Sequence, residues 1–197
     1  MQEPANPSQA TTTENLAPAS LRRELRGWTR DLLLAIGLAM VIIIFLYQPV
    51  KVEGTSMAPL LTDQERIFIN KFVYRFEPIE RGDVVVFWYP LDRSKSFIKR
   101  VVGLPGEMVE IRQGRAYVNG KRLEEPYVPR QFTDGSTYGP VRVPPGEYFV
   151  MGDHRASSND SRVFGPVPDR YIYGKAVFAY WPMDRFGLIP PPAEQRK

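Results

Sequence analysis

The 197 residues contain no cysteine. That absence excludes a thiolate nucleophile, a thiolate metal site and any disulfide. It leaves the redox compartment open, because an oxidising compartment permits disulfides without requiring them. Histidine is nearly as scarce: His154 stands alone, which excludes a histidine-rich metal site. The first 20 residues hold neither lysine nor arginine and are rich in Pro, Ala, Ser, Thr, Asn and Gln. Such a segment cannot bury enough apolar surface to order itself. There are no internal repeats and no arginine-rich run. The formal net charge of +4 suits a membrane-facing protein as well as a nucleic-acid binder and by itself decides nothing.

What is present begins with four arginines, Arg22, Arg23, Arg26 and Arg30, followed by an unbroken apolar run of 16 residues from Leu32 to Tyr47. Counted from Trp28 to Tyr47 the stretch has 20 residues, which as a helix spans roughly 30 Å, the thickness of a bilayer's hydrocarbon core. Trp28 and Tyr47 would mark its two interfaces. A cleaved leader requires small residues just after the apolar stretch, and Phe45-Leu46-Tyr47-Gln48-Pro49-Val50 is bulky. A buried core helix requires a polar face, and none exists from 32 to 47. The pattern predicts an uncleaved transmembrane anchor over 28–48 after a disordered, basic cytoplasmic tail over 1–27. The arginine excess on the N-terminal side puts everything after residue 50 outside the cytoplasm.

The remainder reads as β. Apolar content is 43%, enough for a core, and 19 prolines with 15 glycines favour many turns. Short runs rich in Val, Ile, Phe and Tyr predict strands at 66–72, 83–88, 97–102, 108–111, 116–118, 121–123, 148–151 and 175–181. Asn119-Gly120 between two of them is a two-residue hairpin signal. These define one domain over 49–184, with 103–149 a smaller hairpin-rich subregion. The Pro-rich 185–197 is expected to be a solvated tail.

Three segments carry candidate chemistry. Gly54-Thr55-Ser56-Met57-Ala58-Pro59 presents a serine on a tight turn, although serine is common in turns anyway. A serine hydroxyl needs a base to take its proton. His154 is one candidate. The other is a lysine whose ordinary value, about 10.4, is pulled down by apolar burial. In Phe97-Ile98-Lys99-Arg100-Val101-Val102, strand alternation places Lys99 on one face with Phe97 and Val101; the competing reading is an edge lysine that snorkels to water. Arg100 cannot serve, because guanidinium does not deprotonate in proteins. The third segment, 151–162, is dense in hydrogen-bonding side chains after a hydrophobic strand, and is either a site-bracing loop or a polar surface loop.

In order, the apolar anchor, GTSMAP, RGDVVVFW, FIKRVVGLPGE and MGDHRASSNDSRVFGPVP resemble bacterial type I signal peptidases, over about residues 28–182. The resemblance implies a mainly β fold of antiparallel sheets behind one N-terminal transmembrane helix. It implies a membrane-bound serine endopeptidase of single-pass topology with a Ser–Lys dyad, needing no metal or cofactor and binding no nucleic acid. The partners implied are the lipid bilayer and signal peptides of exported preproteins, cut after small residues at −3 and −1. Residue by residue, it assigns the nucleophile to Ser56 and the general base to Lys99. A serine that hydrogen-bonds the lysine falls on Ser158, and a bracing pair on Asp160 and Arg162. Asp153 and Arg155 take structural roles, and Met57, Leu61, Phe97 and Ile98 line the pockets for the −1 and −3 side chains. Two positions depart from the pattern. His154 stands where the family usually has Asn, so it is not expected to be the base. Gly54 stands where some relatives carry a serine that assists the oxyanion, leaving that task to backbone N–H groups.

Chain length adds a constraint of its own. Ser56 lies nine residues beyond Tyr47, a reach of at most about 30 Å, so a nucleophile there works near the bilayer. Two other readings fit parts of the chain: a self-cleaving transcriptional repressor, which lacks such an anchor, and a membrane-tethered β-domain that only binds peptide or polysaccharide.

Overall fold

The computed structural model describes the backbone of residues 18–190, and side chains from Arg26 to Pro190 apart from 42–44. Of the disordered tail expected over 1–27, the first 17 residues lie outside the described residues, as do 191–197 of the expected solvated tail, whereas 18–27 are helical, not disordered. The chain forms two units, 1–43 and 44–197.

The described part of the first unit is helical: it belongs to α1, which spans Pro18–Leu46 with 29 residues. Among the described residues no helix is long and apolar enough to cross a membrane; the side chains of Ile42, Ile43 and Ile44, in the C-terminal half of the expected span, are not among them. Leu32, Leu33 and Leu34 are all exposed. Successive helical residues point about 100° apart, so this apolar surface wraps around α1 and is not confined to a stripe. Tyr47 and Gln48, which the sequence pattern assigned to the anchor, begin a strand instead.

The second unit is mainly β. Strands β1 Tyr47–Lys51, β2 Arg66–Asn70, β3 Val84–Trp88, β4 Ser96–Gly103, β9 Glu147–Met151, β10 Val167–Pro168, β11 Ile172–Trp181 and β12 Gly187–Leu188 form one sheet. Its order is β1-β2-β11-β3-β4-β9-β10, with β12 on β11. Strands β5 Met108–Arg112, β6 Arg115–Val118, β7 Lys121–Arg122 and β8 Tyr138–Arg142 form a second sheet in the order β7-β6-β5-β8. All pairings are antiparallel. Val118 pairs with Lys121 across Asn119 and Gly120, whose φ values of 51° and 79° are those of the expected hairpin turn. Among the described residues the second α-helix, α2, is only Ser161–Phe164.

Central position explains the unbroken apolar run of β3. Val84 and Val86 belong to one core cluster, with Val52, Met57, Leu61, Ile67 and Ile69. Val85 and Phe87 belong to another, with Val101, Val150 and Val167. A strand buried on both faces needs apolar residues at every position. β4 lies beside it in register, Val85 opposite Lys99 and Val84 opposite Arg100. Two basic residues are thus carried into the interior. β4 also pairs with β9, but only from Arg100 onward. Ser96–Lys99 therefore have a strand neighbour on one side alone.

The segment after 184 is not a free tail as far as Pro190. β12 pairs with β11, Ile189 is buried in the core and its N–H donates to Val177 O over 3.0 Å. Arg185 donates to Glu65 Oε2 over 3.1 Å and to the carbonyls of Pro59 and Leu60, each over 2.8 Å. Glu65 is almost fully buried. Glu65 Oε2 also accepts the Thr62 N–H and hydroxyl, so Arg185→Ala leaves the buried carboxylate hydrogen-bonded but without its cation, at an expected cost of roughly 1–3 kcal/mol. A urea midpoint measures this; a solvated Arg185 would give a change within about 0.5 kcal/mol.

Candidate active site

Ser56 sits in the turn that follows β1. Met57 and Leu61 hold this turn down, at 1% and 0% exposure in the core beneath it. The Gly54 N–H donates to Asp63 Oδ1 over 2.7 Å, Ala58 N–H to Thr55 O over 3.0 Å, and Leu61 N–H to Met57 O over 3.0 Å. Gly54 has φ of 88°, where a side chain would be strained. With its neighbour Met57 turned into the core, Ser56 is left half-buried at the surface of a cleft.

Lys99 reaches the same point from β4. Its Nζ lies 2.6 Å from Ser56 Oγ and donates to Ile98 O over 3.0 Å. The Phe97 ring centroid is 5.3 Å from Nζ. Lys99 is only 4% exposed, so it does not snorkel to water. Burial disfavours the ammonium form and pulls Lys99 down from 10.5 to about 8, with the negative charges of Asp160 and Asp153 opposing the shift. At neutral to mildly alkaline pH an appreciable fraction of Lys99 is therefore a free amine facing a hydroxyl.

The loop after β9 closes the back of this arrangement. At Gly152 an added Cβ would stand 2.4 Å from Ser56 O, 2.3 Å from Ser158 Oγ and 2.6 Å from Ser158 Cβ; only glycine permits the approach. Gly152 N–H donates to Asp160 Oδ2 over 3.1 Å. Asp160 also takes Arg162 Nε over 2.9 Å and Arg162 Nη2 over 2.9 Å, and Arg162 Nη2 donates further to Arg155 O over 2.7 Å. Asp153 receives Arg100 in a two-pronged pair of 2.9 and 2.7 Å, both side chains buried. His154 N–H donates to Ser56 O over 3.1 Å, so at this residue the main chain holds the serine turn. The His154 ring packs edge-on against Phe132 with centroids 4.4 Å apart, and its Nδ1 is buried without a partner.

Ser56, Lys99, Asp153, Ser158, Asp160 and Arg162 are thus drawn to one place from three segments. Phe97 and Ile98 line the cleft of about 810 Å³ in front of them, together with Val52, Val86 and Asn159. Met57 and Leu61, expected to line its pockets, are placed in the core behind it. Ser158 Oγ is buried but has no hydrogen-bond partner, so the hydrogen bond to Lys99 that the resemblance implied is not formed here; the amine is shared between Ser56 Oγ and Ile98 O. Gly152 was missed by sequence reasoning, although a glycine directly after a hydrophobic strand marks a close approach. Arg100 was considered only as a base, and nothing in the local sequence shows its partner 53 residues away.

A family model described as signal peptidase, peptidase S26, matches residues 25–181. The chain belongs to this family. The signal peptidase I of Bacillus amyloliquefaciens is 41% identical over 165 residues, covering 79% of this chain and 84% of that protein. The signal peptidase I of Leptolyngbya laminosa is 36% identical over 194 residues, covering 94% and 92%. A solved signal peptidase I from Enterococcus faecalis is 34% identical, covers 50% of this chain and 97% of that one, and superposes with a TM-score of 0.46. This signal peptidase is accordingly a serine peptidase of the type I kind, with a mainly β body of antiparallel sheets, as its motifs implied.

Proposed function

We propose that this signal peptidase is a membrane-bound endopeptidase that removes signal peptides from exported preproteins after small residues at −3 and −1, with Ser56 as nucleophile and neutral Lys99 as general base. The observation that carries the reading is the 2.6 Å approach of a nearly fully buried lysine amine to a serine hydroxyl at a cleft. Lys99 accepts the Ser56 proton as Oγ attacks the peptide carbonyl, then gives that proton to the leaving amine; water hydrolyses the acyl-enzyme, with Lys99 again the base. The Ser56 N–H, beside the attacked carbon, is the backbone donor for the oxyanion. Ser158, Asp160, Arg162 and Asp153 support the site.

The one-sided pairing of Ser96–Lys99 suits a substrate that lies along β4 as an added strand, backbone to backbone. Half-buried Phe97 and Ile98 then face its side chains, and small residues fit best against them. The apolar surface wrapped around α1 and the four arginines before it favour a membrane anchor with the β unit outside the cytoplasm. An enzyme and a substrate held in one bilayer meet at raised effective concentration.

The pH dependence of preprotein cleavage in detergent tests the base. Only the deprotonated amine can accept a proton, so kcat/KM is expected to rise with pH through about 8 and then level. His154→Ala is expected to keep most of the activity and the same inflection. A profile that stays flat from acid through pH 8, or a His154→Ala variant as inactive as one lacking the serine, would overturn the assignment.

A further inference from the structure

The loop 152–162 is gripped from behind by a stretch of chain for which neither the motifs nor the proposed reaction gives a use. After β7 the chain passes Glu125, Tyr127, Phe132, Asp134 and Ser136 before entering β8. It meets the loop at three residues, His154, Arg155 and Arg162, the last also reaching Ser136 Oγ over 3.4 Å. Phe132 packs on His154. Asp134 Oδ2 accepts Arg162 Nη1 over 2.7 Å. Glu125 meets Arg155 with both oxygens, Oε2 accepting Nη1 over 3.0 Å and Oε1 accepting Nη2.

The Glu125 contact is the deepest of the three. The Arg155 side chain is 1% exposed and that of Glu125 9%. Arg155 Nε, the third nitrogen of the guanidinium, donates to Gly152 O over 3.0 Å. The Tyr127 hydroxyl donates to Glu125 Oε1 over 3.0 Å, and the Tyr127 ring carries the Arg100 guanidinium 4.0 Å above its centroid. A carboxylate in the small-sheet region thus ends a chain of contacts, Glu125 to Arg155 to the Gly152 carbonyl. Gly152 is the residue wedged against Ser56 O and Ser158.

We propose that Glu125 is a positioning residue for the peptidase reaction: its two-pronged pair with Arg155 fixes the Gly152 carbonyl, and so the separation between the Ser158 loop and the Ser56 turn. The proposal rests on the Ser56–Lys99 reading. Glu125 touches neither Ser56 nor Lys99, and it does not line the cleft. Losing it should therefore loosen the alignment of hydroxyl and amine without changing what the cleft binds. A purely structural ion pair would lower stability alone.

Full-length enzyme in detergent, with a preprotein substrate and rates normalised to the folded fraction, separates these. Glu125→Gln is expected to lower kcat by about 10- to 100-fold, with KM within about threefold. In an Arg155→Met background the same change should alter kcat by less than about twofold, because the two residues act as one unit. A Glu125→Gln enzyme with kcat within about twofold of the parent, a loss confined to KM, or an equal loss in the Arg155→Met background would each overturn the proposal. If Glu125→Gln alone does not fold, the double variant decides, since removing both members of a buried pair is tolerated better than stranding one. It should fold with kcat down at least about tenfold, and full kcat overturns the proposal. Ser56→Ala assayed in parallel keeps the two questions apart: cleavage surviving there sinks the dyad reading, whatever Glu125 does.

Discussion

Lys99→Met is expected to abolish preprotein cleavage and, at neutral pH, to make the protein more stable. The loss of activity follows from the absence of any other base at the hydroxyl: Lys99 Nζ is 2.6 Å from Ser56 Oγ, and the His154 ring packs on Phe132. A reduction of at least about 10³-fold in kcat is expected, comparable to Ser56→Ala, because a dyad loses its function when either member goes. The gain in stability follows from the direction of the Lys99 shift. Its folded value, about 8, lies below the 10.5 of a free lysine, so the unfolded chain binds the proton more tightly. Below pH about 8 the full penalty of burying this group burdens the fold. As pH rises from about 8 to about 10.5 the unfolded state gives up its proton too, and the penalty disappears. Methionine carries no such penalty. Lys99→Met should therefore exceed the parent by roughly 1–3 kcal/mol near neutral pH and lose that advantage by about pH 10.5. Urea midpoints at the two pH values measure it. A variant no more stable than the parent near neutrality, with a gap that does not move with pH, would mean that the ammonium is well solvated where it sits.

How much of this was legible in the sequence depends on the range over which each feature is encoded. The strand at 84–88 follows from a continuous apolar run, those at 96–103 and 147–151 from apolar residues that flank Lys99-Arg100 or follow Glu147, and the hairpin at Asn119-Gly120 from two residues that tolerate positive φ. Strands that bury little leave no such trace. β8 is Tyr-Gly-Pro-Val-Arg with no buried residue, and β10 and β12 are two residues each. β1 was hidden because Tyr47 ends an apolar run that reads as helix. At the site, Ser56 and Lys99 were accessible to a local argument about nucleophile and buried amine, and the order of motifs sharpened it. The pairings of Arg100 with Asp153 and of Arg155 with Glu125 were not. Each joins residues 53 or 30 positions apart, and an interior arginine looks like a surface one until its partner is placed. The same limit misplaced Met57 and Leu61: close to Ser56 in sequence, they fill the core beneath its turn.

Gly152→Ala tests whether the geometry behind the serine matters as much as the dyad itself. The new methyl group would meet Ser158 Oγ at 2.3 Å, Ser56 O at 2.4 Å and Ser158 Cβ at 2.6 Å. Ser158 Oγ can rotate away at little cost, since it has no hydrogen bond to lose. The Ser56 carbonyl and Ser158 Cβ cannot, so the Ser56 turn and the loop after β9 must separate by about 1 Å to restore ordinary contact. Misplacement on that scale is worth about 10²-fold in rate, whereas crowding alone costs roughly 1–3 kcal/mol of stability. Gly103→Ala is the control. It sits on the same strand as Lys99, and its Cβ would meet Val109 Cγ2 at 2.4 Å and Phe149 Cβ at 3.0 Å, in the core and away from the serine. Both variants should lose stability, yet only Gly152→Ala should lose about 10²-fold or more in kcat per folded molecule, with Gly103→Ala staying within about threefold. Equal losses of rate in the two would mean that strain anywhere along β4 reaches the amine, and that the close packing of Gly152 against Ser56 has no special part in aligning the hydroxyl.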